Sequence, residues 1–147
     1  MRLLLLGFTL LCSSLIHAQH PISVTTWTQK TLMNALSVNY KYGAEEEERD
    51  KVGFMPVAWD ALTTFLGGYM KTVQDKQLTI HPQFLIKPTI VDSGTASGIK
   101  FWRVNEEVLL PELNVKVAFS LIVIASTPSA AGGYLIQSMS MEKQENP

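Results

Sequence analysis

Histidine and serine residues that could carry out chemistry are few, and their spacing gives them no shared task. Beyond residue 18 the chain has two histidines, His20 and His81. A zinc site needs several Cys or His ligands at short, regular spacing, and the sequence contains no such pair. His81 is the one plausible base for a serine nucleophile, but no serine stands in a G-x-S-x-G motif. We therefore interpret His81 as an ordinary strand residue and predict no metal site.

Acidic residues and paired glycines also fail to form a catalytic arrangement. The run Glu45–Glu48 is consecutive, whereas calcium ligands must be spaced so that they converge around the ion. Glu106 and Glu107 are neighbours on a predicted strand, so they face opposite sides of the sheet and cannot act as an acid–base pair. Neither glycine pair is followed by the Lys-Ser/Thr of a phosphate loop. The sequence thus predicts a protein that is not an enzyme and holds no cofactor.

The first 18 residues have the layout of a secretory signal peptide. One positive charge, Arg2, precedes the almost wholly apolar run Leu3–Leu11, and Ala18 offers a small residue for cleavage. The run is short for a membrane span, which needs about 20 residues. We predict that residues 1–18 are removed, which leaves a periplasmic domain of residues 19–147; an uncleaved anchor is the alternative. Cys12, the only cysteine, would leave with the signal.

Length and charge set further bounds on the class of protein. The 147 residues suggest one domain, and with 46% hydrophobic and 17% charged residues a packed core is feasible. Without Arg2 the chain has 11 basic and 13 acidic residues, a net charge of −2. Such a chain offers no basic field to a phosphate backbone, so we predict no nucleic-acid partner.

Helical patterns occupy the first half of the chain. Apolar residues at helical spacing predict a helix over 24–42, capped by Ser23 or Thr25 and stopped by Gly43. A second helix is predicted over 56–75, because proline suits the first helical turn. Its stripe begins with Trp59, which we predict to be a core anchor. Two adjacent glycines, 67 and 68, predict a bend or a break in this helix. The acidic run between the helices is read as a solvated loop or helix face.

Strand patterns occupy the second half. Residues 78–91 predict a strand at the sheet edge, because Pro82 and Pro88 cannot donate to a ladder. A turn at 92–98 leads to strands at 99–110, 115–126 and 134–141, of which 115–126 is the most apolar and is predicted to be central. The short links imply antiparallel pairing. The fold is therefore predicted to be α+β, with N-terminal helices on one face of a curved four-stranded antiparallel sheet.

Several of these residues together resemble a known family. The runs Asn39-Tyr40-Lys41-Tyr42, Phe-x-Pro-x-x-Trp-x-x-Leu from residue 54, Phe101-Trp102-Arg103-Val104 and Gly133-Tyr134-Leu135-Ile136-Gln137 are similar to the periplasmic domain of IcmL/DotI proteins. The resemblance extends over about residues 24–141. Its motif residues, expected in the core or at an interface, are Trp27, Tyr40, Tyr42, Phe54, Pro56, Trp59, Leu62, Trp102, Gly133 and Gln137.

This resemblance implies a function as well as a fold. IcmL/DotI proteins belong to type IVB (Dot/Icm) secretion systems, with relatives in plasmid conjugation, and their periplasmic domain has a VirB-eight-like, nuclear-transport-factor-two-like fold. The expected partners are other secretion-apparatus proteins, and the resemblance leaves room for a homo-oligomer. Family members normally carry a cytoplasmic tail and a membrane helix, where this chain has its signal-like segment. The alternative hypothesis is a small-ligand binder or enzyme that uses the cone-shaped pocket of the same fold.

Overall fold

In a computed structural model of the chain, the described residues form three helices that pack on a four-stranded antiparallel sheet, which confirms the predicted α+β class. The structure describes residues 22–126 and 133–144. The predicted signal peptide lies outside these residues. The helices are α1 (Val24–Leu36), α2 (Ala44–Asp50) and α3 (Pro56–Asp75), and the strands are β1 (Gln83–Ala96), β2 (Ile99–Leu110), β3 (Val115–Ala125) and β4 (Tyr134–Gln144). Short 3₁₀ turns occupy Lys51–Gly53 and Pro111–Leu113.

Helix α1 is shorter than predicted. Its start is capped as expected, because the Ser23 hydroxyl accepts the Thr26 N–H at 3.3 Å. The helix ends at Leu36, and the prediction that it runs to residue 42 is wrong. The reason is tertiary: the backbone of Val38 accepts the Ile80 N–H at 2.9 Å, so the chain after the helix is extended and pairs with the segment before β1. Local apolar spacing carries no information about this pairing.

Helix α3 is continuous through its two glycines, so the predicted interruption of the helix there is wrong in its stronger form, a break. Pro56 occupies the first turn, as predicted. A Cβ built on Gly67 or Gly68 would meet nothing within 4 Å, so both glycines lie on the open side of the helix. Packing on the opposite side, where Leu62, Leu66 and Val73 are buried, keeps the helix intact despite the poor helix propensity of glycine.

Strand order β1-β2-β3-β4 places β1 at an edge and β3 in the interior, as predicted. The bounds of β1 differ from the predicted 78–91, because residues 78–80 pair with the 38–40 segment instead. The predicted turn at 92–98 is also wrong: β1 and β2 continue to a two-residue turn at Ser97-Gly98, where both φ angles are positive, 50° and 78°. Strand β4 continues to residue 144, beyond the predicted end at 141.

The core lies between the helices and one face of the sheet. Alternate residues of β3 are buried in a strict period of two, which fixes the face that meets the helices. The buried set from the sheet is Val104, Val108, Leu110, Val115, Val117, Phe119, Leu121, Val123 and Ile136. The helices contribute Trp27, Leu32, Leu36, Trp59, Leu62, Leu66 and Val73. No helix in the described ranges is both long and apolar enough to cross a membrane.

Candidate interaction surface

The start of α3 is attached to strand β4 through Phe54 and Trp59. The backbone of Phe54 forms a parallel bridge with Ile136, and the next residue, Met55, donates its N–H to the Ile136 carbonyl at 2.9 Å. The Phe54 ring lies against the Trp59 indole with centroids 5.2 Å apart. Phe54, Trp59 and Leu62 are all buried, so this part of the motif belongs to the core, while Pro56 is exposed.

Three aromatic rings also meet at the first residue of β4. The Tyr134 ring lies 5.5 Å from both Trp27 and Trp102, and its hydroxyl donates to the Ile22 carbonyl at 3.0 Å. Trp27 is buried and Trp102 is half-buried, with Lys100 5.1 Å above its ring. This cluster fixes the start of α1 against strands β2 and β4.

The two tyrosines of the first motif run have different surroundings. Tyr42 donates its hydroxyl to Asp50 at 3.3 Å, and the buried Asp50 also accepts from Arg49 Nε at 3.0 Å. Burial, followed by the negative charge of Asp50, raises the pKa of the Tyr42 hydroxyl above its ordinary value. Tyr40 is exposed and carries Lys41 over its ring. Tyr42 therefore ties α2 to the chain after α1, and Tyr40 faces solvent.

The last two motif residues lie at the start of β4. Gly133 has φ of 90°, a conformation that favours glycine, and its carbonyl accepts the Ser126 N–H at 2.8 Å. Gln137 is exposed and is the extra residue of a β-bulge, since the pairing of β4 with β3 shifts at this point. The motif residues thus divide into buried core positions and a few positions on the surface.

The acidic run forms helix α2. Its first turn is acidic, an arrangement that the helix dipole favours. Glu46 accepts the Gly43 N–H at 3.1 Å and caps the helix, and hydrogen bonds from its own backbone and from Gly43 lower the pKa of its carboxyl. Glu45, Glu47 and Glu48 remain exposed. The helix therefore presents a negative surface beside α1.

Strand β1 exposes four aliphatic side chains along the sheet edge, on both faces of the sheet, since Ile86 pairs with the outward Glu107 and Ile90 with the buried Val104. Leu85, Ile86, Ile90 and Val91 are 42–52% exposed, and we call these four residues the β1 aliphatic patch. Three register shifts interrupt its pairing with β2. Natural edge strands commonly use such bulges to discourage pairing with foreign strands. A partner would therefore contact mainly the side chains of the patch, because the backbone hydrogen-bonding groups of β1 do not form an unbroken row.

Two surface clefts accompany these features, and neither lies between the helices and the sheet. A cleft of about 340 Å³ separates α1 from the segment after α2 and includes Lys30 and Val52. A cleft of about 600 Å³ crosses the sheet on the face turned away from the helices. Four of its polar residues, one from each strand, lie in one row: Thr89, Asn105, Ser120 and Ser140. Glu106, Glu107 and Glu142 also line the cleft.

Glu106 is the residue that the sequence reasoning missed. It is 2% exposed on the helix-facing side of β2, and neither carboxyl oxygen has a hydrogen-bond partner. Burial raises the pKa of Glu106 to about 8, so the group is mostly protonated at neutral pH. The signal was present in the sequence, because strand alternation places Glu106 in line with Val104 and Val108.

His81 is exposed and interacts with Glu112. Its Nδ1 lies 2.7 Å from Glu112 Oε1, and its backbone N–H donates to the same carboxylate. Partial burial tends to raise the pKa of Glu112, but these hydrogen bonds outweigh it and the pKa lies below its usual value. The pair ties the segment before β1 to the turn after β2. No cluster of three or more metal-ligating side chains occurs in the parts of the chain that the structure covers.

An α+β domain of helices on a four-stranded sheet is also found in solved structures of secretion proteins. The periplasmic domain of DotI superposes with a TM-score of 0.69 at 17% identity, covering 86% of this chain and 98% of that domain. A periplasmic fragment of TraM gives 0.65 at 13%, covering 81% and 94%. An IcmL-like type IV secretion system protein from Legionella pneumophila gives 0.60 at 14%, covering 84% and 92%.

These similarities confirm, at the level of the fold, the resemblance to IcmL/DotI proteins that the sequence motifs predict. The amino-acid sequence matches no protein-family model and no functionally characterised protein. The likeness to DotI, TraM and the IcmL-like protein is therefore structural.

Proposed function

We propose that this chain is a non-enzymatic periplasmic protein that contributes to a type IVB secretion or conjugation apparatus through protein–protein contacts. The observation that carries the proposal is its structural match to 98% of the DotI periplasmic domain. The similarity to an IcmL-like type IV secretion system protein supports the same assignment. The motif residues Phe54, Pro56 and Trp59, which carry most of the sequence resemblance, lie together at the start of α3.

Two described surfaces are suited to such contacts. The β1 aliphatic patch is exposed along a sheet edge, and helix α2 presents Glu45, Glu47 and Glu48 to solvent. Aliphatic side chains supply buried area in an interface, whereas charges at its rim steer association and select partners. We propose that the patch contacts apparatus proteins and that α2 forms an acidic rim.

The small-ligand alternative receives no comparable support. Its cone-shaped pocket would lie between the helices and the sheet, where Val104, Val108 and Phe119 are each at most 2% exposed and pack into the core. A ligand there would have to displace these side chains, at a cost of several kcal/mol.

Affinity purification from crosslinked cell envelopes tests the proposal. A C-terminally tagged chain is expected to recover secretion-apparatus proteins, and an Ile90→Ser/Val91→Ser variant to recover less of them. Both residues are exposed, so the variant should fold, which circular dichroism can check. A Val57→Ser variant, changed at an exposed residue on α3, is the matched control. Recovery of no apparatus protein by a folded, exported wild-type chain would overturn the assignment.

N-terminal sequencing tests the export part of the proposal separately. The purified periplasmic protein is expected to begin at Gln19, after removal of residues 1–18. An intact Met1 in the membrane fraction would show an anchor instead.

A further inference from the structure

Strand β1 carries a bulge where it passes the buried Glu106. The pairing of β1 with β2 skips a position between Ile86 and Thr89, so Lys87 and Pro88 together lie opposite Glu106. Proline has no N–H to donate, which further weakens the ladder at this point. The segment of β1 nearest to Glu106 is therefore less firmly held than a regular strand.

Glu106 lacks any partner in the core. Among the described residues, three buried side-chain atoms have no hydrogen-bond partner, and two of them are the carboxyl oxygens of Glu106. A neutral carboxylic acid tolerates such a site at moderate cost, but an unpaired carboxylate there is far more costly. Ionisation of Glu106 consequently demands a counter-charge, water or a local rearrangement.

Apolar side chains surround Glu106 on its own strand and on β3. Val104 and Val108 lie two residues to either side, and Phe119 is its cross-strand partner. Burial alone produces the raised pKa of Glu106, with no contribution from a charged group. On the remaining neighbour, β1, the residues opposite are Pro88 and Lys87.

The two buried polar side chains of the described helices are engaged elsewhere. They are Thr28, whose hydroxyl donates to the Val24 carbonyl at 2.7 Å, and Asp50, which is held by Arg49 and Tyr42. Lys87, in contrast, is exposed, and no ion pair involves it in the described structure. It is the cation that the strand register places nearest to Glu106.

We propose that Lys87 is the counter-ion that Glu106 takes up when it ionises, so that the β1 bulge acts as a proton-controlled latch between the edge strand and β2. Directly opposed side chains in a sheet have Cβ atoms about 5 Å apart, within the reach of a flexible lysine stem. The proton leaves Glu106 for solvent, and the side chain of Lys87 turns inward over the strand edge.

The latch also connects protonation to the β1 aliphatic patch. Ile86 precedes the bulge directly, and Ile90 and Val91 follow it within four residues. An ion pair that tightens the bulge therefore acts on the same stretch of backbone that presents these side chains. An inward lysine tightens the attachment of β1 to β2 at high pH, whereas a neutral Glu106 leaves the bulge loose. This inference concerns the isolated domain and does not depend on the proposed secretion function.

Carbon-detected NMR titration of glutamate-labelled protein tests the latch, using residues 19–147 of the wild type and two variants. In Lys87→Met the acid dissociation constant of Glu106 is expected to fall about tenfold, because a nearby cation normally favours the carboxylate by at least that factor. Lys100→Met, changed at another exposed lysine of the same hairpin, is expected to leave it unchanged. Equal constants in all three proteins would overturn the proposal.

Backbone amide shifts provide a second reading from the same titration. In the wild type, the amide chemical shifts of Lys87 and Thr89 are expected to change with pH at the same midpoint as the Glu106 carboxyl. In Glu106→Gln this change is expected to disappear. If they keep the transition in Glu106→Gln, or lack it in the wild type, the latch is wrong. Should Glu106→Gln fail to fold, the Lys87→Met comparison decides alone, since Lys87 is a surface residue.

Discussion

The ring of Phe54 packs on the indole of Trp59 with 5.2 Å between centroids, and this contact fastens the start of α3 to strand β4. The backbone takes part as well, because Met55 donates to Ile136 immediately before the helix begins. Residues 54–59 thus determine where α3 begins, how the two aromatic rings pack and how the helix is attached to the edge strand β4. The same stretch contains the Phe-x-Pro-x-x-Trp run that carries most of the resemblance to IcmL/DotI proteins.

Replacement of Trp59 by Ala is predicted to lower the free energy of unfolding by about 3–5 kcal/mol, as for other large-to-small changes in a core. Urea unfolding followed by circular dichroism measures the loss. Trp59→Phe should cost clearly less, since Trp59 Nε1 has no hydrogen-bond partner to lose. Val57→Ala, at a residue that is 67% exposed, is the control and should change stability by less than about 0.5 kcal/mol. A Trp59→Ala protein as stable as this control would contradict the core role.

Removal of the Tyr42 hydroxyl is predicted to destabilise the domain by about 1–2 kcal/mol. Tyr42→Phe takes away one of two groups that hydrogen-bond the buried Asp50 carboxylate, and such bonds to charged groups are stronger than average. The matched control is Tyr40→Phe, two residues earlier, where the side chain is exposed. Denaturant midpoints of the two variants give the comparison, and equal values would show that the Tyr42–Asp50 bond is energetically unimportant.

Two glycine substitutions are predicted to have opposite effects. A Cβ on Gly53 would lie 2.6 Å from Thr31 Cγ2, so Gly53→Ala must push the turn after α2 away from α1 and should cost about 1–3 kcal/mol. A Cβ on Gly67 meets nothing within 4 Å, so Gly67→Ala should stabilise α3 by up to about 1 kcal/mol. Thermal unfolding measures both changes. Destabilisation by Gly67→Ala would contradict this prediction and would indicate that α3 needs the conformational freedom of glycine at this position.

The pH dependence of stability is predicted to reveal Glu106. Its pKa is raised from 4.5 to about 8 in the folded chain, so the folded state binds this proton more tightly than the unfolded state. The contribution of Glu106 to stability is then complete below pH 4.5 and falls as pH rises towards 8, by about 1.4 kcal/mol per pH unit.

The difference in stability between the wild type and Glu106→Gln isolates this effect from other groups. The free energy of unfolding of the wild type minus that of Glu106→Gln should decrease steadily between pH 5 and about 8. Urea unfolding in a pH series measures this difference. Glu46 and Glu112, whose pKa values are lowered by hydrogen bonds, act in the opposite sense at acid pH and cancel in the difference. A difference that is constant with pH would contradict the buried, proton-binding state of Glu106.

Periodicity within the sequence predicted most of the elements, because their apolar faces are local patterns. The start of α3 at Pro56 and the strand after Gly98 follow from residue spacing, and the apolar composition of 115–126 predicted its place in the interior of the sheet. The edge position of β1 followed from its prolines, and Pro88 does lie in a bulge.

Long-range pairing accounts for much of what the sequence did not predict. The end of α1 depends on the backbone hydrogen bond between Val38 and Ile80, which are more than 40 residues apart. The length of β1 depends on a tight turn at Ser97-Gly98, which could not be distinguished from the small and polar residues around it. Glu106 was set aside by considering only its relation to Glu107, whereas its environment is decided by its alignment with Val104 and Val108. The exposure of the β1 aliphatic patch could not be read from strand propensity, which is the same for buried and exposed aliphatic residues.

Site-specific crosslinking in intact cell envelopes tests the central claim most directly. The domain beyond residue 18 has no cysteine, so single cysteines at Val91 in the β1 aliphatic patch, Glu45 on α2 and the exposed Lys76 after α3 report separate surfaces. The account predicts crosslinks to secretion-apparatus proteins from Val91→Cys, with support from Glu45→Cys, and few from Lys76→Cys. Exported, folded variants that give no apparatus crosslink from either Val91→Cys or Glu45→Cys would contradict it.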